Sequence, residues 1–544
     1  MRMVKSRFSA DFSVWPPPPP APRDRATMPR ILYIHQAYPA QFEYMTRVML
    51  ADRRHEVTAI IPSKRAGGFD DALPGVRYEF YAPLRERGGF RGKMQLGSVV
   101  AHVAERLARA EGYRPDLIIG HPGWGEMAFL NRVTGWESVP QLHYVEWHYG
   151  APNTDFDFSD GGRWPPKSLD QKMAAHTQNG AMLMGLSDMA AGITPTGYQQ
   201  SVIPPFARAK TLVQFDGTDT DFFSPDASAT LRLPNGRVVR AGEEVITFMN
   251  RNFEPHRGIH RFVEALELVF RARPRALVAM IGLDRKETKY GAARTDGKGW
   301  LTYLKENHSS LDWSRVHELG KVPRRRIRQL LRVSKVHVYL TVPFFLSWSS
   351  LEAMSAGCLL LGSSTPPVLE MVKHGHNGLL VPFHDSAALG AKLIELLAQP
   401  AAAHAALRAN ARALVVDRYD AKTLYPARVQ FAEAFLDSSD ARCCLDARPN
   451  IRALLPPPTR PPAPFARAAC AAAAAAPPLA TATASDATYA SAVVDARINR
   501  CLAHVHRSRR RRDNISGPLF VDGTAAVRPP SGRSAYAYAG EFDP

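Results

Sequence analysis

Cysteine is scarce. Five occur in 544 residues, with Cys358 inside an apolar run and Cys443, Cys444, Cys470 and Cys501 in a C-terminal stretch without metal-ligand spacing. That distribution argues against a disulfide framework and against a thiolate metal centre. Long apolar runs are missing as well, and nothing approaches the ~20 residues that span a bilayer. Met1–Thr27 holds five consecutive prolines where a secretory leader has its apolar segment, and a cytoplasmic location is expected. Glycine is absent from His35–Phe42, directly after the first apolar run. A dinucleotide-binding turn needs glycines there, which argues against a nicotinamide-dependent dehydrogenase. Lysine disappears from residues 441–544, which hold fourteen arginines and seven acids. With the five basic and two acidic residues of 1–27, these flanks carry more than half of the net charge of +18. Both flanks lack a hydrophobic period and are expected to be disordered. The overall basicity is therefore weak support for nucleic-acid binding.

The chain as a whole is 45% apolar and 22% charged, the composition of a soluble globular protein, and its hydrophobic patterning starts after residue 27. It opens strand, helix, strand (Arg30–His35, Phe42–Ala51, Glu56–Ile61), a βαβ pattern that leads to a parallel sheet. Residues 64–93 read as a loop-rich basic segment, either a solvated loop or a contact with anionic lipid. A helix is expected over Leu96–Ala110, strands over Asp116–Gly120 and Gln141–Glu146, and a long helix over Leu169–Leu186. A second strand series begins at Glu244, with Val245–Met249, Leu277–Gly282, Val316–Gly320 and Val336–Leu340. The basic helix Arg324–Arg332 between the last two reads as a solvated face. Thr423–Leu436 is the last expected helix.

The most informative stretch is Val342–Asp385. Leu351, Ala353 and Met354 give a short helix its apolar side, and Gly357 stands where a C′ glycine ends it. Cys358–Leu361 has the unbroken apolarity of a strand covered on both faces. A second helix is expected near Pro366-Pro367. Two helix N-termini after serine-rich loops, at the carboxyl ends of adjacent strands, form an anion site. Glu352 has two readings. Ser349-Ser350-Leu351-Glu352 fits a capping box, in which the carboxylate satisfies a backbone N–H. The other reading is a carboxylate that accepts hydrogen bonds from two vicinal ribose hydroxyls. His121, in Gly120-His121-Pro122-Gly123-Trp124-Gly125-Glu126, ends a strand among small residues that let a ligand approach. Glu126 is expected to open the following helix and to complement its dipole. Asp155-Phe156-Asp157 and Asp219-Thr220-Asp221 have the D-x-D form of a metal–nucleotide site, a pattern common by chance in polar loops.

Leu351-Glu352-Ala353-Met354-Ser355-Ala356-Gly357 resembles the nucleotide-binding segment of the retaining glycosyltransferases of family 4, the group 1 enzymes with the GT-B fold. His35-Gln36-Ala37-Tyr38-Pro39-Ala40-Gln41-Phe42 is similar to the H-Q-x-F-P-x-Q-F opening of one branch of that family. Thr211–Asp219 resembles its interdomain hinge. The family pattern carries two glutamates eight positions apart, and Phe344 stands where the first would fall, so the resemblance does not specify the transferred sugar. It covers about residues 29–440 and implies an α/β GT-B protein, with two Rossmann-like parallel-sheet domains facing a central cleft. The implied organisation is an acceptor-side domain over 28–210, a hinge over 211–225, a nucleotide-sugar domain over 226–422 and a helix crossing back over 423–440. Residues 1–27 and 441–544 are the disordered flanks.

By the same resemblance, Arg251 and Arg257 hold the donor diphosphate, where guanidinium forks and helix N-termini stabilise the leaving charge without a metal. Ser347, Trp348, Ser349 and Ser350 line the donor side, Glu352 takes the ribose, and Glu370 belongs to the donor region without an assigned role. His121 faces the sugar, and His35 and Glu126 lie on the acceptor side. The implied activity is metal-independent, retaining transfer of a hexose from a nucleoside-diphosphate sugar to an acceptor hydroxyl, without cofactor. The implied acceptors are a glycan, a lipid-linked glycan or a small glycoside, in glycan or polysaccharide biosynthesis. Peripheral contact with the inner membrane face is the corollary of the basic segment. With no carboxylate pair for double displacement, the leaving phosphate itself is expected to assist attack. The alternatives are a nucleotide-sugar 2-epimerase on the same architecture and a basic nucleic-acid-binding protein.

Overall fold

The computed structural model describes residues 28–436, apart from 52, 64–71, 83–88, 147–167, 289–293 and 295. The flanks expected to be disordered, and Asp155-Phe156-Asp157, lie outside the described residues. Two parallel-sheet α/β domains follow one another along the chain.

The first sheet has seven strands in the order β3-β2-β1-β4-β5-β6-β7. They are β1 Arg30–Ile34, β2 Glu56–Pro62, β3 Val76–Tyr81, β4 Leu117–Gly120, β5 Gln141–Tyr144, β6 Ala191–Thr194 and β7 Thr211–Val213. Every pairing in it is parallel, with Ile31 opposite Val57 on one side and Leu117 on the other. The middle strand is buried from Ile31 through Ile34, as expected where helices cover both faces. Each such side chain is worth about 1.5–3 kcal/mol relative to exposure. One face packs against the helices Glu43–Ala51 and Ala421–Glu433, and the other against Gly89–Glu111.

The second sheet has six parallel strands in the order β12-β11-β10-β13-β14-β15. They are β10 Val245–Asn252, β11 Leu277–Leu283, β12 Val316–Glu318, β13 Val336–Tyr339, β14 Leu359–Ser363 and β15 Leu379–Val381. Ahead of it stands the antiparallel hairpin of β8 (Thr230–Arg232) and β9 (Val238–Arg240). The helix Ala421–Glu433 returns to the first sheet, where Tyr425 stacks on Tyr44 with ring centroids 5.2 Å apart. No described helix is long and apolar enough to cross a membrane.

Several local expectations change. The segment 64–93 contains β3, whose alternation of apolar and charged residues has the period of a strand. Arg77 on that strand is bound by Glu79 at 2.7 Å and Glu111 at 2.6 Å, and Lys93 is buried. Lys64, Arg65, Arg85 and Arg87 lie outside the described residues. No α-helix opens at Glu126. The 3-10 turn Pro122–Trp124 ends at Gly125 with φ 104°, where a Cβ would sit 2.1 Å from the Lys93 carbonyl oxygen. The helix expected over 169–186 divides into Leu169–Thr177 and Gly180–Ser187. At the division the Phe90 ring lies 2.7 Å from where a Gly180 Cβ would be, so the backbone is approached too closely for a larger residue. The basic helix, observed over Arg324–Val333, is partnered rather than merely solvated. Arg324 donates to the Tyr44 hydroxyl (2.8 Å), Arg326 to the Arg232 carbonyl (2.7 Å) and Arg332 to the Ser224 carbonyl (2.6 Å).

Candidate active site

The part of the candidate site in the second domain is built at the carboxyl ends of β10, β13 and β14. Arg251 is exposed near the end of β10. The chain then turns through Pro255–Arg257 to Gly258, whose φ of 69° and 2.5 Å approach to the Leu340 side chain admit only glycine. This turn delivers Arg257, which is buried, with its guanidinium carbon 4.3 Å from the Phe345 ring centroid. The Arg257 guanidinium also acts on the hydroxyl of Tyr339, the last residue of β13, favouring its ionised form. The same Tyr339 hydroxyl accepts the Ser347 backbone N–H at 2.7 Å. Burial raises its pKa above the ordinary phenol value, so it stays protonated while Arg257 and Ser347 converge on it.

Ser347 is the N-cap of the helix Trp348–Ser355, its hydroxyl accepting from the Ser349 N–H. That cap excludes the capping-box reading of Glu352. A capping-box glutamate stands three positions after the cap, whereas Glu352 is five after Ser347 and lies in the second turn. No hydrogen bond within the described residues engages its carboxylate. Burial raises its pKa and Arg324 partly opposes the shift. A desolvated carboxylate beside an arginine, with acceptor capacity in hand, suits a hydroxyl-bearing ligand. Arg324 was not singled out in the sequence, because a basic helix start gives no sign of facing a distant carboxylate.

Glu370 follows the short helix Pro366–Leu369 and accepts two backbone N–H groups across the cleft, Gly197 at 2.7 Å and Tyr198 at 2.5 Å. These begin the helix Gly197–Val202, so the carboxylate caps an element of the first domain from the second. Beside it, the Tyr198 hydroxyl donates to the Pro343 carbonyl at 2.8 Å.

In the first domain, His121 directly follows β4 and is only 2% exposed. Its Nδ1 accepts the Gly123 N–H at 3.0 Å, which leaves the proton of the neutral ring on Nε2. Nε2 lies 3.5 Å from Glu146 Oε2, just beyond β5. The His35 ring, at the end of β1, is 6.2 Å from that of His121, and the Tyr144 ring is 6.5 Å away. Glu146 was missed because only the adjacency of β4 and β5 brings it to His121. His143, on β5, is pushed down to about 3 by burial and by His121, so it stays neutral. Glu126 is buried and is the acid that faces Lys93, whose amine burial pushes down to about 8 against the pull of that carboxylate.

The stretch between the two sheets joins the domains through buried Asp216. Its Oδ1 accepts from Arg428 at 2.9 Å, and its Oδ2 accepts from the Tyr144 hydroxyl and the Trp348 indole, each at 2.8 Å. The D-x-D at 219–221 belongs to the same packing. Asp219 accepts the Phe222 N–H at 2.9 Å, and Asp221 pairs with Lys422. Among the described residues no three His, Cys, Asp or Glu side chains gather as metal ligands.

Two family models match the chain in succession. One, described as glycosyl transferase family 4 group, covers residues 53–223, and the other, glycosyl transferases group 1, covers 236–414. No curated protein matches. Among solved structures, HepE from Anabaena in complex with UDP and glucose has a TM-score of 0.51 at 17% identity, covering 75% of this chain and 99% of its own. Sucrose-phosphate synthase from Thermosynechococcus elongatus has a TM-score of 0.57 at 16% identity, covering 75% of this chain and 100% of its own. A glycosyltransferase from Rickettsia africae has a TM-score of 0.51 at 13% identity, covering 76% of this chain and 100% of its own. With one family model on each parallel-sheet domain, in the order the fold requires, the chain belongs to the group 1 glycosyltransferases of GT-B fold.

Proposed function

We propose that the chain transfers a hexose from a nucleoside-diphosphate sugar to an acceptor hydroxyl, with retention of configuration and without a metal. The observation that carries this reading is the Tyr339 hydroxyl, which gathers the Arg257 guanidinium and the capped helix start at Ser347 into one cationic, N–H-rich corner. Such a corner stabilises the charge that develops on a departing diphosphate. Arg251, exposed at the neighbouring strand end, is the second cation. Glu352, one turn inside the same helix, binds the ribose, with Arg324 holding it ionised when ligand is present. HepE from Anabaena was solved in complex with UDP and glucose and in complex with UDP-glucose, which supports a nucleotide-sugar donor.

In this reading His121 Nε2–H, with Glu146 Oε2 3.5 Å away, faces the transferred sugar. An imidazole there positions the sugar and accepts or returns a proton while the carboxylate stabilises its charged form. In this reading the diphosphate oxygen released on one face of the sugar draws the acceptor hydroxyl to that same face, and retention follows. The acceptors are glycan, lipid-linked or small-glycoside hydroxyls. Membership of the group 1 glycosyltransferases favours transfer over the epimerase and nucleic-acid alternatives.

The test is a thermal-shift screen of UDP, GDP and ADP, followed by incubation of the matching nucleotide hexoses with and without EDTA. Stabilisation by one diphosphate, and release of that diphosphate unaffected by EDTA, are expected. No stabilisation by any of them, or loss of turnover on chelation, would refute the reading.

A further inference from the structure

The Asp216 carboxylate is shared by three elements that are far apart in the chain. Arg428, on the returning helix Ala421–Glu433, takes Oδ1, and its Nε donates to Gln214 Oε1 at 2.8 Å. The Tyr144 hydroxyl and the Trp348 indole N–H both donate to Oδ2. Tyr144 ends β5 with its ring beside His121. Trp348 is the first residue of the helix that carries Ser349, Ser350 and Glu352. Its indole is unusual: the residue is 46% exposed while the nitrogen is held by a carboxylate only 3% exposed. Burying a carboxylate at a hinge is costly unless every lone pair has a donor, and here both oxygens are occupied by groups from the two halves of the cleft.

We propose that Asp216 is a positioning residue for the transfer reaction. One oxygen sets the donor helix, through Trp348, against the acceptor strand, through Tyr144. The register between the diphosphate corner and His121 is then fixed by two hydrogen bonds to a single atom. The proposal rests on reading Ser347–Glu352 as the donor site and His121 as facing the sugar. Because both donors share Oδ2, removing either one strengthens the bond to the other and lets the two halves shift relative to each other. Displacements of about 1 Å between reacting groups cost up to ~100-fold in rate.

Asp216→Asn strips the buried Arg428 of its counter-charge and is expected to destabilise the fold outright, so the arms are cut singly. Tyr144→Phe removes one donor and touches no residue of the donor corner, and Trp348→Phe removes the other. The readouts are steady-state kinetics with the nucleotide hexose found active, Kd for its nucleoside diphosphate, and the indole N–H spectrum of the 15N-labelled full chain. The chain has eight tryptophans, and the Trp348 resonance is the one lost in Trp348→Phe. Tyr144→Phe is expected to move that resonance and to lower kcat about tenfold or more, with Kd for the diphosphate within about twofold of wild type. An unmoved resonance in Tyr144→Phe overturns the proposal, as does an unchanged kcat per folded molecule. If the unmutated chain binds none of UDP, GDP and ADP, the donor-site reading falls and takes the proposal with it. That failure is separable because it is seen before any substitution is made.

Discussion

Glu352→Gln separates the two roles a buried carboxylate can have. If the residue were structural, removing its charge would leave Arg324 poorly paired and destabilise the chain. If it is a ribose ligand, the unliganded protein bears the cost of keeping it desolvated, and the amide relieves that cost. Burial is the dominant cause of its raised pKa, and the sign of the linkage follows. A carboxyl raised in the folded state supports folding at low pH and loses that support as pH rises through its raised value. The amide variant should therefore equal the wild type at low pH and match or exceed it at neutral pH. Binding moves the other way. Two hydroxyl donors to a carboxylate are replaced by two donors to a neutral amide with one acceptor oxygen. Hydrogen bonds to charged groups contribute roughly 1.5–3 kcal/mol, so a loss of that size weakens the nucleoside diphosphate about 10- to 100-fold. Thermal melts of the free protein at two pH values and calorimetric titration of the diphosphate measure both quantities. A variant that melts lower at every pH while binding unchanged would refute the reasoning.

Three further outcomes follow from the geometry. Glu370→Ala exposes the Gly197 and Tyr198 amides, so hydrogen exchange over Gly197–Val202 should accelerate while diphosphate affinity stays within about twofold; a large affinity loss would instead place Glu370 on the donor. His121→Gln keeps a hydrogen-bonding side chain without a titrating ring, and should lower kcat by roughly 10²–10⁴-fold with diphosphate affinity unchanged, measured by turnover and titration in parallel. Cys358 donates its thiol to the Leu331 carbonyl at 2.9 Å, and burial pushes that thiol up to about 12; peptide mapping after alkylation at neutral pH should find it unmodified in the folded chain and modified in denaturant.

What the sequence made legible was whatever depends on neighbours in the chain. β1, β11 and β14 are continuous apolar runs because both faces of a parallel strand are covered, and each appears within a residue or two of its expected place. Gly357, at positive φ, ends its helix as expected. The hairpin of β8 and β9 was not read from the sequence, although Pro234-Asn235-Gly236, with Gly236 at φ 87°, is a local turn signal of the kind that joins two short antiparallel strands. Contacts set by tertiary structure were not legible. Tyr144 and Asp216 are 72 residues apart, Trp348 and Asp216 132, and Arg428 and Asp216 212. No pattern in the chain pairs them. Tyr339 was likewise hidden, because an apolar strand end gives no sign that its hydroxyl joins an arginine to a helix cap. The Glu352 ambiguity shows the same limit, since S-x-x-E spacing fits both readings and only the position of the true N-cap, Ser347, separates them.

The proposed transfer depends on a cationic corner assigned to Arg251, Arg257 and the start of the Trp348–Ser355 helix. Its most direct test is calorimetric titration of UDP, GDP and ADP into the wild type and into the Arg251→Ala/Arg257→Ala double variant. Removing two charge-assisted contacts should weaken the preferred diphosphate by roughly 100-fold or more, while the free nucleoside, which lacks phosphates, binds both proteins equally. Equal diphosphate affinity for the two proteins would contradict the account.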